Sequence, residues 1–320
     1  MTVTFGCVLS QAAFGPTASP ESLRTLARQA EALGFNAVWF ADHIVIPRQV
    51  QSVYPYDADG ASPFDPDQPF YEPLSVLNFL AGCTQRIRLG THVLIIPYRP
   101  PVFTAKILAT LDVLSGGRLI LGAGVGWMEE EFQALELSTF AERGAVTNEY
   151  LRLFKELWTQ EQPQFQGKYA QVSDVGFQPK PVQKPHPPIW IGGHSEPALR
   201  RAATLGDGWM PIGLRPQPLL EPAEIEGKIA RLRALTRQAG RAEDAVTISF
   251  TAPVVFTRTS ARDRSLLQGH PDEIAADLRQ YQALGVRNFN INLPPVGGLG
   301  AQQEVMEQFV REVVPLVPPE

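Results

Sequence analysis

The chain is poor in the residues that build metal centres and covalent frameworks. Its 320 residues include two cysteines and five histidines. Cys7 and Cys83 sit in separate apolar segments, and two cysteines make no disulfide framework. His43, His92, His186, His194 and His270 show no short ligand spacing, so no metal is expected. No apolar run approaches membrane-spanning length, so no membrane partner is expected either. An excess of positive charge is also missing. A net charge of -5 and a pI near 5.7 argue against nucleic acid or an anionic membrane surface. The first residues form an alternating strand and lack the basic region and apolar run of a signal peptide, which points to the cytoplasm.

What is abundant is core and proline. With 44% hydrophobic residues the chain can bury a large interior. The 29 prolines gather in connections at 47–73, 179–188 and 211–222. Between them, strand-like and helix-like segments alternate throughout. Val3–Leu9 leads to a helix over Pro20–Leu33, with Ser19 as cap, Gly34 as stop, and an apolar face of Leu23, Leu26, Ala27, Ala30 and Leu33. Ala37–Phe40 is followed by a long irregular segment and a helix near Pro73–Ala81. Then come a strand Ile87–Ile95, a helix Val102–Leu114, a strand Leu119–Gly122 and a helix from Glu142 to Trp158. Ile189–Ile191 precedes a helix at 196–205, and Gly208–Met210 one at 222–239. Strand 246–256, helix 272–284, strand Val286–Leu293 and a helix near 302–314 complete eight βα units.

Two features favour a closed barrel over an open sheet. A Leu-Gly junction recurs at 33–34, 205–206 and 284–285, the stop signal of repeated short αβ turns. The last two strands also alternate. Thr247, Ser249 and Thr251 share one face, as do Asn288, Asn290 and Asn292, while Ile248, Phe250, Phe289 and Ile291 face the other way. Helices must cover the outside of a barrel, so the polar rows are expected to point inward. The expectation is an α/β fold, one (β/α)8 TIM barrel spanning residues 1–320. It has an extended loop after strand two and insertions after strands four and seven.

A barrel carries its chemistry where each strand ends. After strand five, Ile189-Trp190-Ile191-Gly192-Gly193-His194-Ser195-Glu196-Pro197 runs from an apolar strand through two glycines into a helix. Ser195 suits the N-cap and Pro197 the first turn. Free amides at the positive end of that helix favour a phosphate, though an ordinary strand-to-helix turn reads the same way. After strand two, Asp42 and His43 combine a carboxylate and an imidazole, as orienter and general acid or base, or as a plug for the barrel mouth. Gly90-Thr91-His92-Val93 stands where strand three would splay to admit a ligand. Gly122-Ala123-Gly124-Val125-Gly126 permits close backbone approach, but its third glycine is misplaced for a dinucleotide fingerprint. The segment Ile44–Phe70 is too long for a mere connection. It carries Tyr54, Tyr56, Phe64 and Phe70 among Asp57, Asp59, Asp65 and Asp67, which suggests a lid over an apolar pocket or surface decoration.

Taken in order, these residues resemble the luciferase-like monooxygenase superfamily of flavin and deazaflavin oxidoreductases. The matching pieces are Ala32 to Trp39 running into Ala41-Asp42-His43, and Arg86 to Thr91. Leu114 to Arg118 then runs into Gly122 to Trp127, and Gly192 to Pro197 continues to Gly206-Asp207-Gly208-Trp209. The resemblance covers nearly the whole chain. It implies His43 as the catalytic acid/base beside the cofactor ring, with Asp42 next to it. It also implies Thr91 as a cofactor-binding residue and a strand-three bulge at His92-Val93, often with a cis peptide, supporting the back of the ring. Gly124, Val125 and Gly126 would run along the ring and its side chain, and Gly192, Gly193, His194 and Ser195 would hold its phosphate.

Ala41-Asp42-His43 together with Gly126-Trp127 and the Gly192-Gly193-His194-Ser195-Glu196-Pro197 segment looks more like the branch using coenzyme F420 than the branch using reduced flavin mononucleotide (FMN) and oxygen. The sugar-phosphate dehydrogenases of that branch carry a glutamate where this chain has Trp127 and a tryptophan where it has Pro47, which argues against sugar phosphates. Hydride transfer between F420 and a small, fairly apolar substrate is the implied activity. A reduced-FMN monooxygenase is the alternative; a sugar-phosphate isomerase or aldolase and a non-catalytic flavin binder are more distant ones. A homodimer is implied as well.

Overall fold

The computed structural model describes residues 3–9, 19–56, 59–213, 220–257, 264–293 and 298–318; Asp57 of the long loop lies outside them. Eight strands run in chain order: β1 Thr4–Val8, β2 Ala37–Phe40, β3 Arg88–Thr91, β4 Leu119–Gly124, β5 Ile189–Gly192, β6 Gly208–Met210, β7 Thr247–Pro253 and β8 Asn288–Asn292. Each pairs in parallel with its neighbours in sequence, β8 returns to β1, and β3 meets β4, so the sheet closes on itself. The fold is a (β/α)8 barrel.

Around it lie α1 Pro20–Ala32, α2 Pro73–Ala81, α3 Pro101–Leu114, α4 Glu129–Ala134, α5 Arg143–Thr159, α6 Glu196–Leu205, α7 Pro222–Gln238, α8 Pro271–Ala283 and α9 Gly298–Gln308. Starts and stops follow local chemistry. Ser19 accepts from the Ser22 amide ahead of Pro20, and α1 stops at Gly34 with φ +85°. Gly285 repeats that stop with φ +108°. Gly206 does not: its φ is -88°, and it is small because a Cβ there would press on Ile191 and Ala202.

The two faces of the sheet divide as their alternation requires. Ile248, Phe250, Phe289 and Ile291 join one apolar cluster with helical residues such as Leu26, Leu278 and Phe309. Inward, Ser249 donates to Asn288 Oδ1 at 2.8 Å. Asn290 Nδ2 donates to Ser249 at 2.9 Å and to Thr251 at 3.2 Å. Beside this polar ladder the interior holds Trp39 and Trp190, ring centroids 5.3 Å apart. Gly6, Gly90 and Gly208 make room for them, since a Cβ at any of the three would overlap an indole.

Strand three departs from the continuous Ile87–Ile95 run. Gly90 pairs with Ile120 but Leu94 pairs with Ala123, so one extra residue bulges, and the His92–Val93 peptide is cis. The insertion after β4 contains α4 and a small hairpin of Phe165–Gln166 with Gln171–Val172, neither apparent from periodicity. The one strand expected over 246–256 divides, and Val255–Phe256 leaves the barrel to pair with Gln268–Gly269. No described helix is long and apolar enough to cross a membrane.

Candidate active site

His43 lies three residues beyond β2 with its ring buried at the barrel mouth. Its Nδ1 is 2.6 Å from Oε2 of Glu131, a fully buried residue of α4. The Tyr98 hydroxyl donates to the same oxygen at 2.9 Å, and Oε1 accepts the amides of Ile44 at 2.7 Å and Val45 at 3.3 Å. A carboxylate offers only acceptors, so the hydrogen of this pair sits on Nδ1. That leaves Nε2 as the ring nitrogen free to take or give a proton. Burial and the adjacent Glu131 charge push the Tyr98 hydroxyl up, which keeps it a donor.

Asp42 does not orient His43. Successive residues leaving a strand point to opposite sides, and Asp42 turns to Arg99, accepting from both guanidinium ends at 2.7 Å. It also accepts the Ile95 amide at 2.8 Å, while Arg99 reaches Glu72 at 2.9 Å. Burial opposes the charge on Arg99, but Asp42 and Glu72 outweigh it, and the guanidinium holds its proton more firmly than usual. Asp42 therefore fastens the end of β2 to the chain just past the bulge.

The bulge builds the floor of the mouth. Half-buried Val93 wedges between Gly124 and Gly192, and a Cβ on either glycine would overlap its methyls. Val125 and Gly126 continue from Gly124 along the rim. Thr91 and His92 point into the scaffold instead. The Thr91 hydroxyl donates to the Gly122 carbonyl at 2.7 Å, and His92 Nε2 meets the Thr251 hydroxyl at 2.9 Å. Burial pushes His92 down to about 4, so it is neutral near pH 7.

At the other side of the mouth Gly193 takes φ +84°, where a side chain would be strained. Its carbonyl accepts from Trp209 Nε1 at 2.8 Å. Ser195 caps α6, accepting the Ala198 amide at 3.4 Å. The amides of Gly193, His194 and Ser195 find no acceptor among the described residues. Lys228 adds a cation, donating to the His194 carbonyl at 3.2 Å. Burial and then the Lys228 charge push His194 down, leaving its ring neutral.

The long loop after β2 closes the top. Phe64 and Phe70 lie 4.3 Å and 5.4 Å from His43 by ring centroids, and Trp127 lies 6.5 Å away. Tyr54 packs edge-on against Trp127 at 5.1 Å, and Tyr56 reaches His194 at 6.2 Å. Glu130 clamps the loop from below by accepting the amides of Gln51 and Ser52.

The structure thus gathers His43, Val93, Gly124 to Gly126 and Gly192 to Ser195 at one mouth, and places Asp42, Thr91 and His92 in its supports. Sequence reasoning passed over Glu131, Tyr98 and Arg99. The available signal was Glu129-Glu130-Glu131-Phe132: carboxylates beside a buried phenylalanine, immediately after the glycine run.

The family model for luciferase-like monooxygenases matches residues 2–267. The chain belongs to this family. An uncharacterized protein of Mycobacterium tuberculosis is 35% identical over 216 residues, 68% of this chain and 72% of its own. An F420-dependent glucose-6-phosphate dehydrogenase of Kineococcus radiotolerans is 27% identical over 94% of both chains. An FMNH2-dependent dimethylsulfone monooxygenase of Pseudomonas putida is 29% identical over 62% of this chain and 52% of its own. Among solved structures, an F420-dependent secondary alcohol dehydrogenase superimposes with a TM-score of 0.76 at 16% identity, covering 99% of each chain. Members of this luciferase-like family are oxidoreductases, with relatives that use either coenzyme.

Proposed function

We propose that residues 1–320 form one luciferase-like domain, active as a homodimer, that transfers a hydride between coenzyme F420 and a small, fairly apolar organic substrate. The observation that carries this reading is the Glu131–His43 pair held under an aromatic lid, facing a mouth with an anion cradle. The parts fit a flat tricyclic ring with a phosphorylated side chain. Val93 between Gly124 and Gly192 offers an apolar floor, and three free amides at Gly193 to Ser195 with Lys228 match the phosphate. The choice of F420 follows the relative that aligns along 94% of both chains, whereas the FMNH2-dependent relative matches about half its own length.

Bound there, the coenzyme supplies hydride chemistry. The protein does the rest. Phe64, Phe70 and Trp127 exclude water and line the substrate side, so electrostatic interactions at His43 are strengthened. Glu131 fixes the ring of His43 so that Nε2 moves the proton that accompanies hydride transfer. Trp127 in place of a carboxylate leaves nothing at that position to bind a sugar phosphate.

Titration of the protein with F420 and with reduced FMN, followed by fluorescence, tests the reading. Micromolar or tighter binding of F420, with reduced FMN at least tenfold weaker, supports it. The reverse preference favours the oxygen-using monooxygenase, and binding of neither removes the cofactor assignment. His43→Ala is expected to lower kcat by about 10²–10⁴ with little change in cofactor affinity; undiminished turnover would exclude His43 as the proton carrier.

A further inference from the structure

Outside the barrel mouth, an open cleft of about 610 Å³ lies between α5, α6 and α7. Arg152, Arg200 and Arg201 line it, and no aspartate or glutamate does, although the protein as a whole is acidic. Arg200 pairs with Glu196 at 2.8 Å, a carboxylate it shares with Arg231 at 2.6 Å. Arg152 is exposed and makes no ion pair among the described residues.

Arg201 is the unusual member. It is only 7% exposed, yet its partners are neutral: Asn148 Oδ1 at 2.6 Å from Nε and the Gly144 carbonyl at 3.1 Å from Nη2. Its Nη1 has no protein partner among the described residues. Arg99 is matched by Asp42 and Glu72, and Arg264 by Asp277; Arg118 and Arg241 bond only neutral acceptors, as Arg201 does, but both are less deeply buried than it is. No carboxylate among the described residues offsets the cost of burying the Arg201 charge, and burial pushes its guanidinium down to about 10. Two neutral hydrogen bonds tie α6 to α5, a task an uncharged side chain could perform. The retained charge calls for an anion. Leu205 and Leu235 also contribute to the lining.

We propose that this cleft binds a small apolar carboxylate, its two oxygens on the Arg201 and Arg152 guanidinium groups and its hydrocarbon body against Leu205 and Leu235. The site is separate from the barrel mouth and does not depend on which coenzyme occupies it.

The probe is 4-bromobenzoate, used in calorimetric titration and in crystals of the full chain measured at the bromine edge. Saturable binding is expected, with a bromine peak in the cleft. Arg201→Gln should weaken binding at least tenfold and Arg152→Ala at least threefold, with circular dichroism unchanged. Arg152 is exposed, so its variant keeps the test valid should Arg201→Gln misfold. Bromine found only at the α6 N-terminus or under the lid would overturn the proposal, as would affinity indifferent to both substitutions. A salt-sensitive association that buries the cleft, lost in Arg152→Ala by sedimentation, would make a second copy its occupant and equally overturn it.

Discussion

Glu131 shows how much one side chain can organise. Two of its acceptor positions serve His43 and Tyr98, and two serve the amides that begin the lid. Glutamine keeps the size but turns one oxygen into a donor, so an NH2 must face either the His43–Tyr98 pair or two backbone amides. Glu131→Gln is therefore expected to cost about 1–3 kcal/mol of stability. The same change should lower kcat more than it raises KM, because His43 must change tautomer or lose its partner. A thermal melt together with steady-state kinetics checks both; an unchanged kcat would reduce Glu131 to scaffolding. His92 makes a prediction about pH. Its folded value near 4 lies below the usual 6.5, so the unfolded chain binds the proton first as pH falls. Stability is fully present above pH 6.5 and lost progressively towards pH 4, by on the order of 2–3 kcal/mol. Denaturant titrations across that window should show the slope in the native chain and a smaller one in His92→Gln.

At the scale of elements, the lid and the β5–α6 turn do different work. The lid is held by aromatic packing and by Glu130 and Glu131, while its exposed Arg48–Asp67 pair is screened by solvent and adds little. Phe64→Ala opens the side of the pocket nearest His43, and a rise in substrate KM with nearly native melting is expected. The β5–α6 turn owes its shape to Gly193 and its free amides to the capped start of α6. Gly193→Val puts a β-branched residue at φ +84°, which natural sequences avoid. Coenzyme affinity should fall at least tenfold by fluorescence titration, while the spectroscopic environment of Trp127 stays native. Most of these elements were readable beforehand. α2 runs over Pro73–Ala81 as the periodicity indicates, and Ser195 caps α6. α4 was not readable, because six residues are too few to display a helical period, and the strand-three bulge was not, because its register depends on β4.

The whole molecule exposes an apolar strip on α3. Phe103 is 61% and Leu114 65% exposed. A second copy of the chain is the occupant we propose for it, and sedimentation equilibrium should show a dimer that Phe103→Asp shifts towards monomer. Barrel closure was legible from the alternating Thr/Ser and Asn rows, since polar side chains can satisfy one another inside a barrel but not beneath its helices.

The mouth residues His43, Gly124, Gly192, Gly193 and Ser195 followed from where the strands end. Spacing along the chain determined these things because period, caps and turns are local properties. Three-dimensional packing alone decided that His43 pairs with Glu131, that Asp42 serves Arg99, and that Arg201 is buried without an acid. Each is a contact between segments far apart in sequence. Which of three successive glutamates turns inward depends on the phase of α4, and that phase is set by Phe132 packing against Tyr98 and Phe140.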